Sequence, residues 1–300
     1  MGSGQFPSFA LHPALPMQLL FRMIAALPLR IVQALGVTLA RVAFALSTRE
    51  RNRLDQNLRH AGYDDPGLRS AAIAEAGKTL LEMPWLWTRP QTEVVNLVQD
   101  VVADASVCEA IAQGKGIIYL TPHLGSFEVA AQYAASLGPI TAMYRPPRQS
   151  GLEPFIRAGR ARGDVRLATA DMQGVFALLR ALRNGETVGI LPDQVPSKGE
   201  GEWTEFFGRP AYTMTLTHRL QKSTDATVVL VFCERLPRGG GYKIHLASLP
   251  SPVPGQSPTR QLNRGLEELI RRCPAQYLWS YNRYKVPAGV APPEPVPGTE

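Results

Sequence analysis

Four short apolar runs, separated by stretches with helical spacing, restrict this chain to a sheet with helices packed on it. The runs are Ile117–Thr121, Ile140–Tyr144, Val165–Thr169 and Thr187–Leu191. Each is short and rich in residues that suit buried strands. Between the last two, Val175, Phe176, Leu179 and Leu182 recur at the spacing of a helix that Asp171 caps and Gly185 closes. Ser106-Val107-Cys108-Glu109 reads as a capping box, and Ser257-Pro258 as the start of a helix ending near Cys273. Thr227–Leu236 and Tyr242–Leu249 flank Gly239-Gly240-Gly241 as a hairpin. The pattern predicts an α/β fold: a central sheet, mostly parallel or mixed, with helices on both faces.

An apolar arm precedes this unit. Residues 1–14 read as a disordered start, 15–46 as a membrane-associated helical arm, 47–286 as the main domain and 287–300 as a Pro-rich disordered tail. The arm is interrupted by Arg22, Arg30 and Arg41, so no charge-free run reaches the ~20 residues of a simple spanning helix. At about 100° per residue, Gln18, Arg22, Arg30, Gln33 and Arg41 share one arc, which predicts an amphipathic helix lying in a membrane interface. Pro28 is expected to kink or split it. The competing expectation is that the arm packs on the protein's own core.

The chain carries 32 Lys and Arg against 25 Asp and Glu, and its basic residues are mostly Arg, whose planar fork suits phosphate and carboxylate. Anionic partners fit this balance. The three cysteines, Cys108, Cys233 and Cys273, are widely spaced and predict no disulfide framework, in keeping with a reducing compartment.

The segment with most chemistry is Ile117 to Glu128: a strand, a turn containing Pro122 and Gly125, and a helix starting near Ser126. His123 then sits at a strand end, where open α/β sheets bind ligands. Imidazole titrates near physiological pH, which suits a general base. Such a base needs one free ring nitrogen and an acceptor for the other, and Glu128 could supply that acceptor. His12, His60, His218 and His245 show no ligand spacing to His123, so no metal site is expected. Ser126 lacks the Gly-x-Ser-x-Gly elbow of a serine hydrolase.

The His123-x-x-x-x-Glu128 element resembles the first motif of the glycerolipid acyltransferases, in the Glu-bearing form of the lipid A late acyltransferases (the lauroyl/myristoyl acyltransferase family). Four further blocks, in order, are similar to that family. They are Tyr144-Arg145-Pro146-Pro147-Arg148; the stretch Phe155 to Gly163 with Arg157 and Arg160; Gly189 to Gln194 followed by Phe206-Phe207-Gly208-Arg209-Pro210; and Gln276-Tyr277-Leu278-Trp279 with Arg283-Tyr284-Lys285. Asn57-Leu58 matches as well, while Asn282 stands where many relatives carry a basic residue.

The resemblance implies transfer of a fatty acyl group from an acyl carrier protein to a hydroxyl of a Kdo-bearing lipid A precursor, at the cytoplasmic face of a bacterial inner membrane. It implies no cofactor, no metal and no nucleic-acid partner. In that reading His123 is the base and Glu128 holds its tautomer. Arg145, Arg148, Arg157, Arg160 and Asp193 serve substrate binding, and the N–H groups near Gly125 and Ser126, or Arg160, stabilise the oxyanion. The alternatives are a same-fold enzyme with another glycolipid or aminolipid acceptor, and a non-catalytic basic protein.

Overall fold

The computed structural model describes residues 14–147 and 150–293. Its centre is a seven-stranded sheet in the order β1-β9-β8-β2-β5-β3-β4. The strands are β1 (Val98–Ala103), β2 (Ile117–Leu120), β3 (Ile140–Tyr144), β4 (Val165–Thr169), β5 (Thr187–Ile190), β8 (Thr227–Arg235) and β9 (Tyr242–Ser248). Only β8 and β9 pair antiparallel, as the hairpin expected across the triple glycine. β6 (Gly201–Phe206) and β7 (Arg209–Met214) form a separate antiparallel ribbon.

Helices cover both faces. On one, α9 (Met172–Arg183), α10 (Leu216–Thr224) and α11 (Pro258–Arg272) enclose a core containing Ile118, Val188, Ile190, Leu178, Leu182 and Leu266. On the other, α7 (Phe127–Leu137) packs with α4 (Pro66–Thr88) and α2 (Leu29–Leu46) around Val32, Trp85, Val129, Val229 and Val231. The α/β expectation therefore holds. The strand bounds agree with the sequence to within one residue, and the Asp171 and Ser257 caps form as expected, accepting from the N–H groups of Gly174 and Arg260. The capping box does not form. The helix there starts at Ala105 behind Asp104, and the Ser106 hydroxyl pairs with Ser248 instead.

Pro28 splits the arm into α1 (Ala14–Ala26) and α2, as its ring geometry requires. One residue of the expected polar arc departs from it. Gln33, assigned to the polar face, points inward and donates to Glu82. Gly36 and Gly77 bring the backbones of α2 and α4 together, since a Cβ on either would strike the other helix. The opposite side of α2 carries Ile31, Leu35, Leu39, Val42 and Leu46, all exposed at helical spacing. One side of α2 is thus fixed to the domain and the other shows an uncovered apolar stripe. By length and composition α2 is also able to cross a membrane. Of the ends read as unstructured, residues 1–13 and 294–300 lie outside the described residues.

A buried ion cluster joins these layers. Arg235, at the end of β8, donates to Glu82 at 2.6 and 2.8 Å, to Glu75 at 2.6 Å and to the Thr79 hydroxyl at 3.0 Å. Burial alone would raise the Glu82 pKa, but the adjacent guanidinium reverses this and holds it below the usual carboxylate range.

Replacing Gly77 by Val should force α2 off α4 and destabilise the protein by about 1–3 kcal/mol, read as a lower thermal midpoint. An unchanged midpoint would show that the two helices tolerate a side chain between them.

Candidate active site

His123 and Asp193 are 70 residues apart but follow neighbouring strands. β2 and β5 pair in parallel, with Leu120 opposite Ile190, so each residue lies three positions beyond a matched strand end. Each also follows a proline, in Thr121-Pro122-His123 and Leu191-Pro192-Asp193. His123 Nδ1 lies 2.9 Å from Asp193 Oδ1, and the His123 main-chain N–H donates to Asp193 Oδ2 at 3.0 Å. On the far side of the ring, Gln194 Nε2 is 3.1 Å from His123 Nε2. These contacts are satisfied together by the tautomer with its proton on Nδ1, which leaves the Nε2 lone pair as acceptor. The Phe127 ring packs edge-on at 5.0 Å.

Burial would raise the Asp193 pKa, but electrostatic attraction to the His123 imidazole and the two hydrogen bonds from His123 overcome it, and the carboxyl is held below its ordinary value. Burial first, and then the Asp193 charge, push the Tyr277 phenol well above its usual range, so Tyr277 stays neutral.

The structure assigns Glu128 a different partner from the one the sequence suggests. Gly125 adopts a left-handed turn (φ 63°) against the Cys233 carbonyl, and α7 starts two residues later. Glu128, on the first turn of α7, meets Arg160 at the end of α8 (Glu153–Arg160), accepting from its Nε at 2.8 Å and also from Nη2. Asp193 occupies the place given to Glu128 beside the imidazole. Glu128 and Arg160 nonetheless line the same cavity as His123.

The oxyanion expectation at Gly125 and Ser126 is also corrected. The Gly125 N–H donates to the Gln276 carbonyl at 3.1 Å, and the Ser126 N–H to the Cys233 carbonyl at 2.7 Å. Both donors are already used in pinning the loop. The Leu278 N–H holds the His123 carbonyl from the same C-terminal segment at 3.0 Å. Asn57 donates to the Trp279 and Tyr281 carbonyls, and the Tyr281 phenol accepts from the Val195 N–H. The C-terminal block therefore braces both the loop that carries His123 and the loop that carries Asp193.

The arginines separate. Arg160 is matched by Glu128 and stacks near Trp87 and Tyr144. Arg157 pairs with Glu153 one turn earlier in α8. Arg145 is exposed and lines the cavity, and Arg148 lies outside the described residues. Among the described residues no three His, Cys, Asp or Glu side chains gather where a metal could be held.

The cavity, about 420 Å³, runs back from His123 beneath α7. Its floor is a register row across four strands, Tyr119–Gly189–Ala142–Leu167, with Ile140 and Val165 one step deeper. Its wall includes Ala130 and Ala131 of α7. An apolar slot ending at a histidine is suited to a long hydrocarbon whose polar end stops at the sheet edge.

The chain matches the family model described as "Bacterial lipid A biosynthesis acyltransferase" over residues 17–286. It is 24% identical over 267 residues to the lipid A biosynthesis palmitoleoyltransferase of Escherichia coli strain K12, covering 86% of each chain. It is 23% identical over 278 residues to the lipid A biosynthesis lauroyltransferase of the same organism, covering 89% of this chain and 90% of that one. Among solved structures, the 1-acyl-sn-glycerophosphate acyltransferase of Thermotoga maritima aligns with a TM-score of 0.33 and 16% identity, over 86% of this chain and 94% of that one.

Because the folded-state pKa of Asp193 is depressed, its stabilising effect is complete above the ordinary carboxylate pKa of about 3.9 and disappears as pH falls through the lower folded value. Denaturant midpoints of wild type and Asp193→Asn should therefore differ by a constant amount above about pH 5 and converge on further acidification. A gap that closed near neutral pH would contradict an ionised Asp193.

Proposed function

The chain belongs to the bacterial lipid A biosynthesis acyltransferase family, and on that footing we propose that it moves a fatty acyl group from an acyl carrier protein thioester to a free hydroxyl of a Kdo-bearing lipid A precursor. The observation that carries this reading is the His123–Asp193 pair, set at the open end of an apolar slot.

The chemistry follows from the tautomer. The acceptor hydroxyl takes the place of the Gln194 amide at His123 Nε2 and gives its proton to that nitrogen as its oxygen bonds to the thioester carbonyl carbon. Asp193 holds the ring in place and stabilises the imidazolium that forms. The carbonyl oxygen becomes an oxyanion, for which Arg160 Nη1, free of the Glu128 bonds, is a charged donor. Collapse of the adduct expels the carrier's thiolate, which takes the proton back from His123. No covalent acyl-enzyme forms. Glu128 serves by fixing Arg160, and Arg145 by meeting an anionic substrate group.

The exposed stripe of α2, with Leu19, Leu20 and Met23 on α1, supports a membrane-surface location at the cytoplasmic face of the inner membrane, where the lipid acceptor is within reach. Because the other side of α2 is packed on α4, the arm is best tested by surface changes rather than deletion.

The decisive experiment gives purified protein an acyl carrier protein thioester and the Kdo-lipid A precursor and reads lipid mass. Wild type should add one acyl group and His123→Ala none. His123-dependent thioester hydrolysis without lipid acylation would redirect the search to another acceptor. Asp193→Asn should lower turnover about 10²-fold or more, and a rate near wild type would remove Asp193 from the mechanism. Replacing Leu35, Leu39 and Val42 together by Gln should release the protein from anionic vesicles in a flotation assay. Continued flotation would place the membrane contact elsewhere.

A further inference from the structure

A second cavity, of about 320 Å³, adjoins the first and shares Arg145, Val195 and Pro196 with it. Arg145, Lys198 and Lys285 give it three cations from three distant parts of the chain: the exit of β3, the loop after β5 and the C-terminal segment. Among the described residues none of the three is in an ion pair, whereas Arg157 and Arg160 are neutralised by Glu153 and Glu128. Glu200, the acid nearest to Lys198 in sequence, instead accepts the Ser197 N–H at 3.1 Å.

The arrangement is held in place. The Val195 N–H bond to the Tyr281 phenol, 2.9 Å, ties the Lys198 loop to the segment bearing Lys285. The Gly199 N–H bond to the Tyr212 phenol, 3.3 Å, anchors its far side to β7. The Lys285 ammonium lies 5.6 Å from the Tyr281 ring centre, and the Lys198 stem runs along Gly289. Two braced loops thus present concentrated positive charge at a concave site whose lining holds no acid among the described residues. Such a site selects a compact, multiply charged anion.

We propose that this annex is a phosphate subsite, which holds a phosphate group carried by a substrate while the reacting atoms lie at His123. The inference rests on the acyl-transfer reading for the identity of the substrate and on the cation cluster for the phosphate. Two sources share this chemistry: the phosphorylated head group of the acceptor lipid, and the phosphodiester of the carrier's phosphopantetheine arm.

The test compares wild type with the double variant Lys198→Glu/Lys285→Glu, whose changed side chains are exposed and whose fold is checked by its thermal midpoint. Losing charge-assisted contacts should raise KM about tenfold or more for the substrate that carries the bound phosphate, with the effect on KM rather than kcat. A rise for the phosphorylated lipid A precursor alone assigns the subsite to the acceptor, and a rise for the acyl carrier protein thioester alone assigns it to the donor. Two unchanged KM values overturn the subsite. A direct titration with inorganic phosphate, followed by the amide resonances of Val195, Ser197, Lys198 and Gly199, separates subsite from activity. Phosphate binding that the double variant loses, in a protein that transfers no acyl group, keeps the subsite and sinks the acyl-transfer reading. Acyl transfer with no phosphate binding and unchanged KM sinks the subsite alone.

Discussion

The buried Arg235 guanidinium is the interaction on which the remaining geometry rests. Its side chain and that of Glu82 are each 1% exposed, and Glu75, Thr79 and the Gly125 carbonyl complete its bonds. Its own backbone is clamped by the Gln276 side chain, which accepts from the Arg235 N–H and donates to its carbonyl. One residue therefore joins the long helix α4, the end of β8, the turn before α7 and the C-terminal brace. Desolvating such charges is expensive, and removing one partner of a buried pair typically costs about 3–5 kcal/mol. Through the Gly125 carbonyl, the bonds of this ion tie the loop that carries His123 to α4, β8 and the C-terminal segment.

The central sheet was legible because most of its strands carry a short apolar run with buried positions, while β1 was not. Its side chains are mostly exposed, so it lacks both a hydrophobic run and a clean alternation. The β6–β7 ribbon escaped notice for another reason. It turns through Phe207 and Gly208, both at positive φ, and Phe is not a residue that announces such a turn. In α2 the spacing of polar residues was real, but Gln33 was counted as outward-facing when it meets the buried Glu82. Periodicity identifies a face without saying whether a buried carboxylate waits behind it.

At the site, the sequence singled out His123 and named Glu128 as its acceptor, whereas Asp193 lies beside the ring. Closeness along the chain was the wrong measure, since the left-handed turn at Gly125 sends Glu128 toward α8. The usable signal was a repeat across strands: a proline followed by His123 after one run, and a proline followed by Asp193 after another. Recognising it required knowing that β2 and β5 are neighbours, which strand order alone decides. The same is true of the Gly125 and Ser126 N–H groups, whose acceptors lie in β8 and in the C-terminal segment.

The row Tyr119–Gly189–Ala142–Leu167 lies on the sheet, whereas His123 and Asp193 stand beyond its edge on separate loops. A side chain larger than hydrogen at Gly189 would meet Ile140 Cδ1 first, about 3.3 Å away, and not the imidazole. Under the proposed mechanism, capacity and reactivity fall to different parts of the molecule. Drift at the floor could resize the slot through successive single substitutions while the His123 and Asp193 loops stayed untouched, so a lineage built on this frame would have separate dials for what it accommodates and for what it does.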